Sequence, residues 1–263
     1  MTSDPTDIDQ ALGFTIPGQH ARGRLVRLGP VLDTILEAHA YPPAIEALLG
    51  EALTLTALIG STLKDTSGQL TLQAQTQAGV VTLLVCDYRG GELRGYVKYD
   101  AERLAEAAQS YFIQSEQIPT LIKFGVRRDA AGHHVAAGLF LQHLPEGEDG
   151  RERLHTKLDH PEWEHVVALG QTMGGDELTD TTLPLETLIW RLFNEENEVR
   201  VLARTELSRG CRCDADYVAS VLAKFSAEDR LEMADSEGLI QVGCAFCARS
   251  FPVRAENPVS KPL

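Results

Sequence analysis

The chain has 263 residues, 43% of them hydrophobic, which suffices for one sizeable core and a small second unit. Its 24 Lys and Arg stand against 38 Asp and Glu, and the formal charge of −14 opposes non-specific binding to nucleic acid or to an anionic membrane surface. The stretch from Met1 to Asp7 has neither the basic start nor the apolar run of a secretory signal, and the longest apolar stretch, around Ala52 to Ile59, is far short of a membrane span. A cytoplasmic protein is therefore expected.

The first ten residues read as a disordered lead. Leu25 to Leu28 alternates as a short strand would. Pro30 to Ala40 and Pro43 to about Leu63 read as helices, the second apolar on much of its circumference and so buried. Strand patterns follow at Leu70–Gln77, Val80–Cys86 and Leu93–Tyr99. Gly68, Gly79 and the Gly90-Gly91 pair punctuate them as in antiparallel hairpins. Ala101 to Gln109 reads as a short helix, and Leu121–Arg127 and Val135–Leu144 as two strands around a turn at Asp129–Gly132. Pro145 to Asp149 is polar loop, and Pro161 to Leu169 is a helix with proline in its first turn. Segregated strands and helices predict an α+β domain.

Gly174-Gly175-Asp176 marks a break, after which the chain changes character. Leu183, Leu185, Leu188, Ile189, Trp190, Leu192 and Phe193 form a compact helical apolar patch, followed at once by Glu195, Glu196 and Glu198. Ordinary amphipathic packing explains such a patch. So does a face that is covered in one state and bared in another, where it would hold unfolded chains through non-directional apolar contact.

Four of the five cysteines then appear as two pairs, Cys211-Arg212-Cys213 and Cys244-Ala245-Phe246-Cys247. In extended chain, residues two apart point to one side, so the first pair can face one ion. The second pair has the spacing of a turn on which two thiolates converge. Four thiolates complete a tetrahedral zinc site with no open position for water. The same sulfurs can be oxidised to disulfides, so the cluster reads as a structural staple, a redox sensor or both. The segment around it, Arg209 to Arg254, is too short for a self-sufficient core and needs its metal to fold. Cys86, alone in an apolar strand, reads as a buried structural thiol.

At these residues the chain closely resembles the redox-regulated bacterial heat-shock chaperones of thirty-three kilodaltons. Four stretches carry the resemblance: Gly210–Asp214, Val242–Cys247, the run Leu183–Glu196, and Tyr111–Thr120 (YFIQSEQIPT). Asn194 stands where many members of that family have histidine. The resemblance implies an N-terminal α+β domain over residues 1–170, a helical metastable linker over 171–208 and a C-terminal zinc-binding redox switch over 209–263. It implies Zn2+ on Cys211, Cys213, Cys244 and Cys247. It further implies oxidation to Cys211–Cys213 and Cys244–Cys247 disulfides, loss of zinc and unfolding of linker and switch. The bared surface, with Leu185, Leu188, Ile189, Trp190, Leu192 and Phe193 as candidate client-binding residues, then holds unfolding proteins without ATP, often as a homodimer.

No Walker-type glycine loop or dinucleotide fingerprint is present, in keeping with ATP independence, and no enzyme activity is expected. Ser115-Glu116 lacks a glycine elbow and reads as structural rather than catalytic. His155, His160 and His165 recur every five residues, which builds no common helix face, so they read as solvated. Two other classes compete. A zinc-ribbon adaptor for nucleic acid or transcription machinery is opposed by the charge. A thiol oxidoreductase using Cys244 and Cys247 is opposed by the lack of a surrounding βαβ pattern.

Overall fold

The computed structural model describes residues 8–63, 67–76, 80–99, 120–129, 131–144 and 161–258. The expected helix at 101–109, the loop at 145–149, Ser115, Glu116, His155, His160 and all but the last residue of the Tyr111–Thr120 motif lie outside them. The chain divides into two compact units. One comprises residues up to Leu36 and from Tyr41 to Arg209, the other Glu37–Ala40 with the chain from Gly210 onward.

The larger unit is α+β. It opens with β1 (Gln10–Ile16) and β2 (Ala21–Leu28), joined through a short 3-10 turn and paired antiparallel with Gln10 opposite Arg27. The strand therefore begins inside the stretch expected to be a disordered lead. β2 leads into α1 (Pro30–Leu36), whose first turn is held by Asp9: its carboxylate accepts from the amides of Gly29 at 2.9 Å and Val31 at 3.1 Å. The expected helix to Ala40 stops at Leu36. Pro42 disfavours helical backbone at Tyr41, and Pro43 restarts the chain as the first residue of α2 (Pro43–Gly60).

α2 has 18 residues and, among the described residues, is the one helix long and apolar enough to cross a membrane by length and composition. This corrects the expectation that no apolar stretch approaches that length. In the fold the helix is a core element, with Leu49, Leu53, Ala57 and Leu58 fully buried. Thr54 and Thr56 are buried too, and each hydroxyl donates to the carbonyl four residues back.

Three strands follow as an antiparallel meander: β3 (Gln69–Gln75), β4 (Val81–Arg89) and β5 (Glu92–Tyr99). The β4–β5 loop is the Gly90-Gly91 pair, with φ of 55° and 93°. A two-residue hairpin whose twist matches its strands needs positive φ at both positions, which is why glycine stands at both. β6 (Thr120–Arg128) and β7 (His134–His143) form the next hairpin, in which the Asp129 carboxylate accepts from the amides of Ala131 and His133. The helices α3 (Pro161–Thr172), α4 (Gly175–Thr179) and α5 (Leu185–Phe193) come next, then β8 (Arg200–Glu206) and β9 (Ser208–Arg209).

The strands make a five-stranded sheet in the order β6-β7-β2-β1-β8 and a four-stranded sheet in the order β3-β4-β5-β9. The five-stranded sheet is apolar on both faces. Val26, Leu28, Ala136 and Phe140 join α1, α2 and the smaller sheet in one core. Leu12, Phe14, Leu25, Leu139 and Leu141 join α3, Leu178 of α4 and α5 in a second. The segment from Gly174 to Ser208 is thus partly strand: β8 pairs with β1 along the sheet's edge, and β9 runs parallel to β5. The expected break at Gly174-Gly175 is the start of α4.

The smaller unit contains α6 (Ala215–Leu222), α7 (Ala227–Met233) and the hairpin of β10 (Leu239–Gly243) and β11 (Ser250–Arg254). Both helices are capped by the residues their sequences offer. Asp214 accepts from the Tyr217 amide, and Ser226 with Asp229 forms a reciprocal capping box.

Candidate metal centre

The second cysteine pair sits on the turn between β10 and β11. The Cys244 amide donates to Arg249 O at 2.9 Å and the Ala248 amide to Cys244 O at 2.8 Å. Ala248 takes a left-handed conformation, φ 55°, which costs a non-glycine residue about 1 kcal/mol. The tight turn so formed brings Cys244 and Cys247 to one side. The first pair precedes α6, with Cys213 next to its capping Asp214. Two separate local devices, a knuckle and a helix cap, thus deliver the two pairs.

All four sulfurs lie within 4.8 Å of one another, and all four cysteines are partly exposed. Sγ–Sγ separations are 3.4 Å for Cys211–Cys213, 3.5 Å for Cys213–Cys247 and 3.7 Å for Cys211–Cys244. A disulfide is about 2.05 Å long, so these are free thiols. Thiolates at about 2.3 Å from one zinc ion, arranged tetrahedrally, stand about 3.8 Å apart. The observed edges are close to that figure, so the residues present fit a Zn2+ ion. Among the described residues this is the single His, Cys, Asp and Glu grouping with metal-ligand geometry. The distances do not choose disulfide partners, because Cys213 is as near Cys247 as it is to Cys211.

The four thiols are unequal. Burial pushes Cys213 up to about 12, helped by Cys211 and Cys247 beside it. Burial also pushes Cys211 up, against a bond from the Cys213 amide. Burial acts on Cys247 as well, but the Arg249 amide and the three neighbouring thiols outweigh it and hold this sulfur at about 7. Cys247 is therefore a ready thiolate while Cys211 and Cys213 retain protons, a division that belongs to the coupled cluster. The apolar core beside it is small: Leu222, Ile240, Val253 and Ala255 are its buried members.

Comparison with known proteins now bears on the whole chain. The model of the Hsp33 protein family matches residues 9–106 and 97–254. The chain belongs to the Hsp33 family. The 33 kDa chaperonin of Caulobacter vibrioides is 35% identical over 92% of this chain and 94% of its own length. That of Pseudoalteromonas atlantica is 28% identical over 92% and 91%. The structure of the 33 kDa chaperonin from Thermotoga maritima matches with a TM-score of 0.72 at 21% identity, covering 95% of this chain and 96% of that one, and shows the same fold.

In this Hsp33 chain the apolar patch of α5 is packed. Leu185, Leu188, Ile189, Leu192 and Phe193 are buried in the second core, and the Phe193 ring lies 5.7 Å from that of Phe14. Trp190 is the correction: it is 66% exposed and is not part of the covered face. Positions 185, 188, 189 and 192 follow helical spacing and share one stripe, whereas 190 falls on the opposite side. The acidic run after α5 is not simply solvated. Glu196 accepts from His165 Nε2 and from Gln19 Nε2, each at 2.8 Å, so His165 is also engaged. Asn194 ends α5 and donates to Arg191 O at 3.3 Å. Cys86 is fully buried, and burial drives its thiol far above the ordinary range, which leaves it unreactive.

Two functional-looking residues left no trace in the sequence reading. Asp9 caps α1 from a segment expected to be disordered. Arg27 is fully buried and donates to the carbonyls of Leu178 and Leu183. An arginine in the apolar run Leu25–Leu28 was the available signal.

Proposed function

We propose that this chain is a cytoplasmic, ATP-independent holdase chaperone that oxidation of its four clustered cysteines switches on. The carrying observation is that Cys211, Cys213, Cys244 and Cys247 converge within 4.8 Å as free thiols in a chain of the Hsp33 family. These four hold Zn2+ in the resting form. The ion supplies a cross-link on which the folding of residues 209–263 depends, about 10–16 kcal/mol in comparable small modules.

Each pair of cysteine thiolates gives two electrons to a peroxide, which takes up two protons from solvent and leaves as two waters. One S–S bond forms per pair, with Cys211–Cys213 and Cys244–Cys247 taken from the family resemblance. Sulfurs in disulfides no longer serve as thiolate ligands, so the C-terminal unit loses its support. Only Gly210 separates Cys211 from β9, and the linker 171–208 is the segment immediately upstream. Its release uncovers Leu185, Leu188, Ile189, Leu192 and Phe193 together with the sheet face beneath them. That surface holds unfolding client proteins by apolar burial, with a homodimer as the oxidised form. No catalysis, nucleic acid or membrane enters this reading.

The test treats zinc-loaded protein with peroxide or hypochlorous acid under mild unfolding conditions. It then follows zinc release, free thiols and suppression of aggregation of a heat-labile protein. Release of one zinc per chain, loss of four thiols and a gain of suppression are expected. Equal suppression before and after oxidation rules the switch out.

A further inference from the structure

At one end of the sheet face beneath α4 and α5, beyond its apolar floor, stand two arginines; Lys123 on β6 and Arg204 on β8 lie on the outer strands, bonded to Gln171 O and to Glu186. Fully buried Arg27 on β2 donates from Nε and Nη2 to Leu178 O, at 3.1 and 3.0 Å, and from Nη1 to Leu183 O at 2.8 Å. Arg127 on β6 donates from Nη2 to Thr179 O at 3.2 Å. Strand register puts Arg27, Ala137 and Gly125 in one row across β2, β7 and β6. The middle of this row is low. A Cβ on Gly125 would lie 2.3 Å from Gly175 O, so α4 rests backbone on backbone against the strand. The result is a shallow seat with a guanidinium on either side.

The occupant of that seat has a definite chemistry. It brings one buried apolar side chain, Leu178, and the carbonyls at the C-terminal end of α4, where partial negative charge accumulates. It also brings Asp180, whose carboxyl is held below the ordinary range, chiefly by the hydroxyl and amide of Thr182 and further by Arg127 and Arg27. Release of the linker, as proposed above, strips the two arginines of these acceptors. Both remain on sheet strands, beside the apolar floor of Leu12, Leu25, Ala137 and Leu139. Once uncovered, the two guanidinia exchange these carbonyls for water, which a client carboxylate can displace with charge-assisted hydrogen bonds.

We propose that Arg27 and Arg127 form a carboxylate- and carbonyl-binding subsite inside the client-binding face, so that the open chaperone prefers apolar client segments carrying an acidic residue. The α4 segment then occupies the subsite as an internal stand-in for such a client. The inference rests on linker release. The protein's own field makes the preference diagnostic, because a chain of charge −14 repels acidic peptides and attracts basic ones. A preference of the opposite sign requires a local cationic site.

The experiment uses the oxidised full-length protein and three fluorescein-labelled peptides of one apolar sequence, with Asp, Asn or Lys at the centre. Affinities are read by fluorescence anisotropy. The Asp peptide is expected to bind about tenfold more tightly than the Asn peptide, as for one charge-assisted hydrogen bond. Arg27→Met and Arg127→Met each reduce that ratio, and together bring it to unity or invert it towards Lys, while the Asn peptide changes by less than about twofold. Arg27→Lys keeps part of the preference. Arg127 is exposed, so Arg127→Met preserves the test should Arg27→Met fail to fold. Equal binding of the three peptides by the unaltered protein overturns the subsite, as does an unchanged ratio in the Arg127→Met variant. If no peptide binds and residues 176–208 keep their hydrogen-exchange protection after oxidation, linker release itself fails and the subsite falls with it.

Discussion

In the larger unit, α2 buries Leu49, Leu53, Ala57 and Leu58, and a second core lies on the other face of the five-stranded sheet. In the C-terminal unit Leu222, Ile240, Val253 and Ala255 form the buried cluster, and four thiols lie within 4.8 Å of one another. The larger unit has apolar area enough to fold on its own account. The smaller has helix caps, one hairpin and four cysteines placed to hold a metal ion, and under the proposed function its stability is tied to the redox state of those sulfurs. On that proposal the sensor stands where the core is smallest, so that a chemical change at a few atoms acts on structure. The same chemistry in the larger unit would do little, as the inert, buried Cys86 illustrates.

The contrast can be broken at three levels of effect. Cys247→Ser, or a strong zinc chelator, removes support of about 10 kcal/mol or more from the C-terminal unit. Amide-exchange protection is expected to vanish from residues 210–258 while β1, β2, α2 and β7 keep theirs. Loss of protection in α2 as well would mean that the units do not differ as described. Phe193→Ala is next, at about 3–5 kcal/mol, because it empties the fully packed space against Phe14. The variant is expected to unfold at lower urea and, if the linker reading holds, to need less oxidant for activation. Trp190→Ala is the smallest, within about 0.5 kcal/mol, since this side chain is 66% exposed. A urea midpoint shifted as far as that of Phe193→Ala would place Trp190 in the packing after all.

Local signals made much of this fold legible. Three- and four-residue spacing marks α2, a compact apolar run marks α5, Gly90-Gly91 marks a hairpin, and the cysteine spacing marks a cluster that the structure brings together. The gaps share a cause: they depend on partners far away in the chain. β8 (RVLARTE) is an exposed edge strand without clean alternation, and it becomes a strand only by pairing with β1. β1 is the exception: Leu12, Phe14 and Ile16 alternate with Gly13 and Thr15, a period of two present in the sequence itself. Arg27 finds its acceptors 151 and 156 residues later. The exposure of Trp190 follows from helical spacing, although its apolar composition matches that of its buried neighbours in α5.

The central claim is that oxidation of the C-terminal cysteines frees the upstream segment. Hydrogen exchange read by mass spectrometry on zinc-loaded and peroxide-oxidised protein addresses it directly. The account predicts that oxidation abolishes protection across 176–208 and 210–258 together, with β2 and β7 unchanged. Protection of 176–208 that persists after zinc is released and the four thiols are consumed would contradict it.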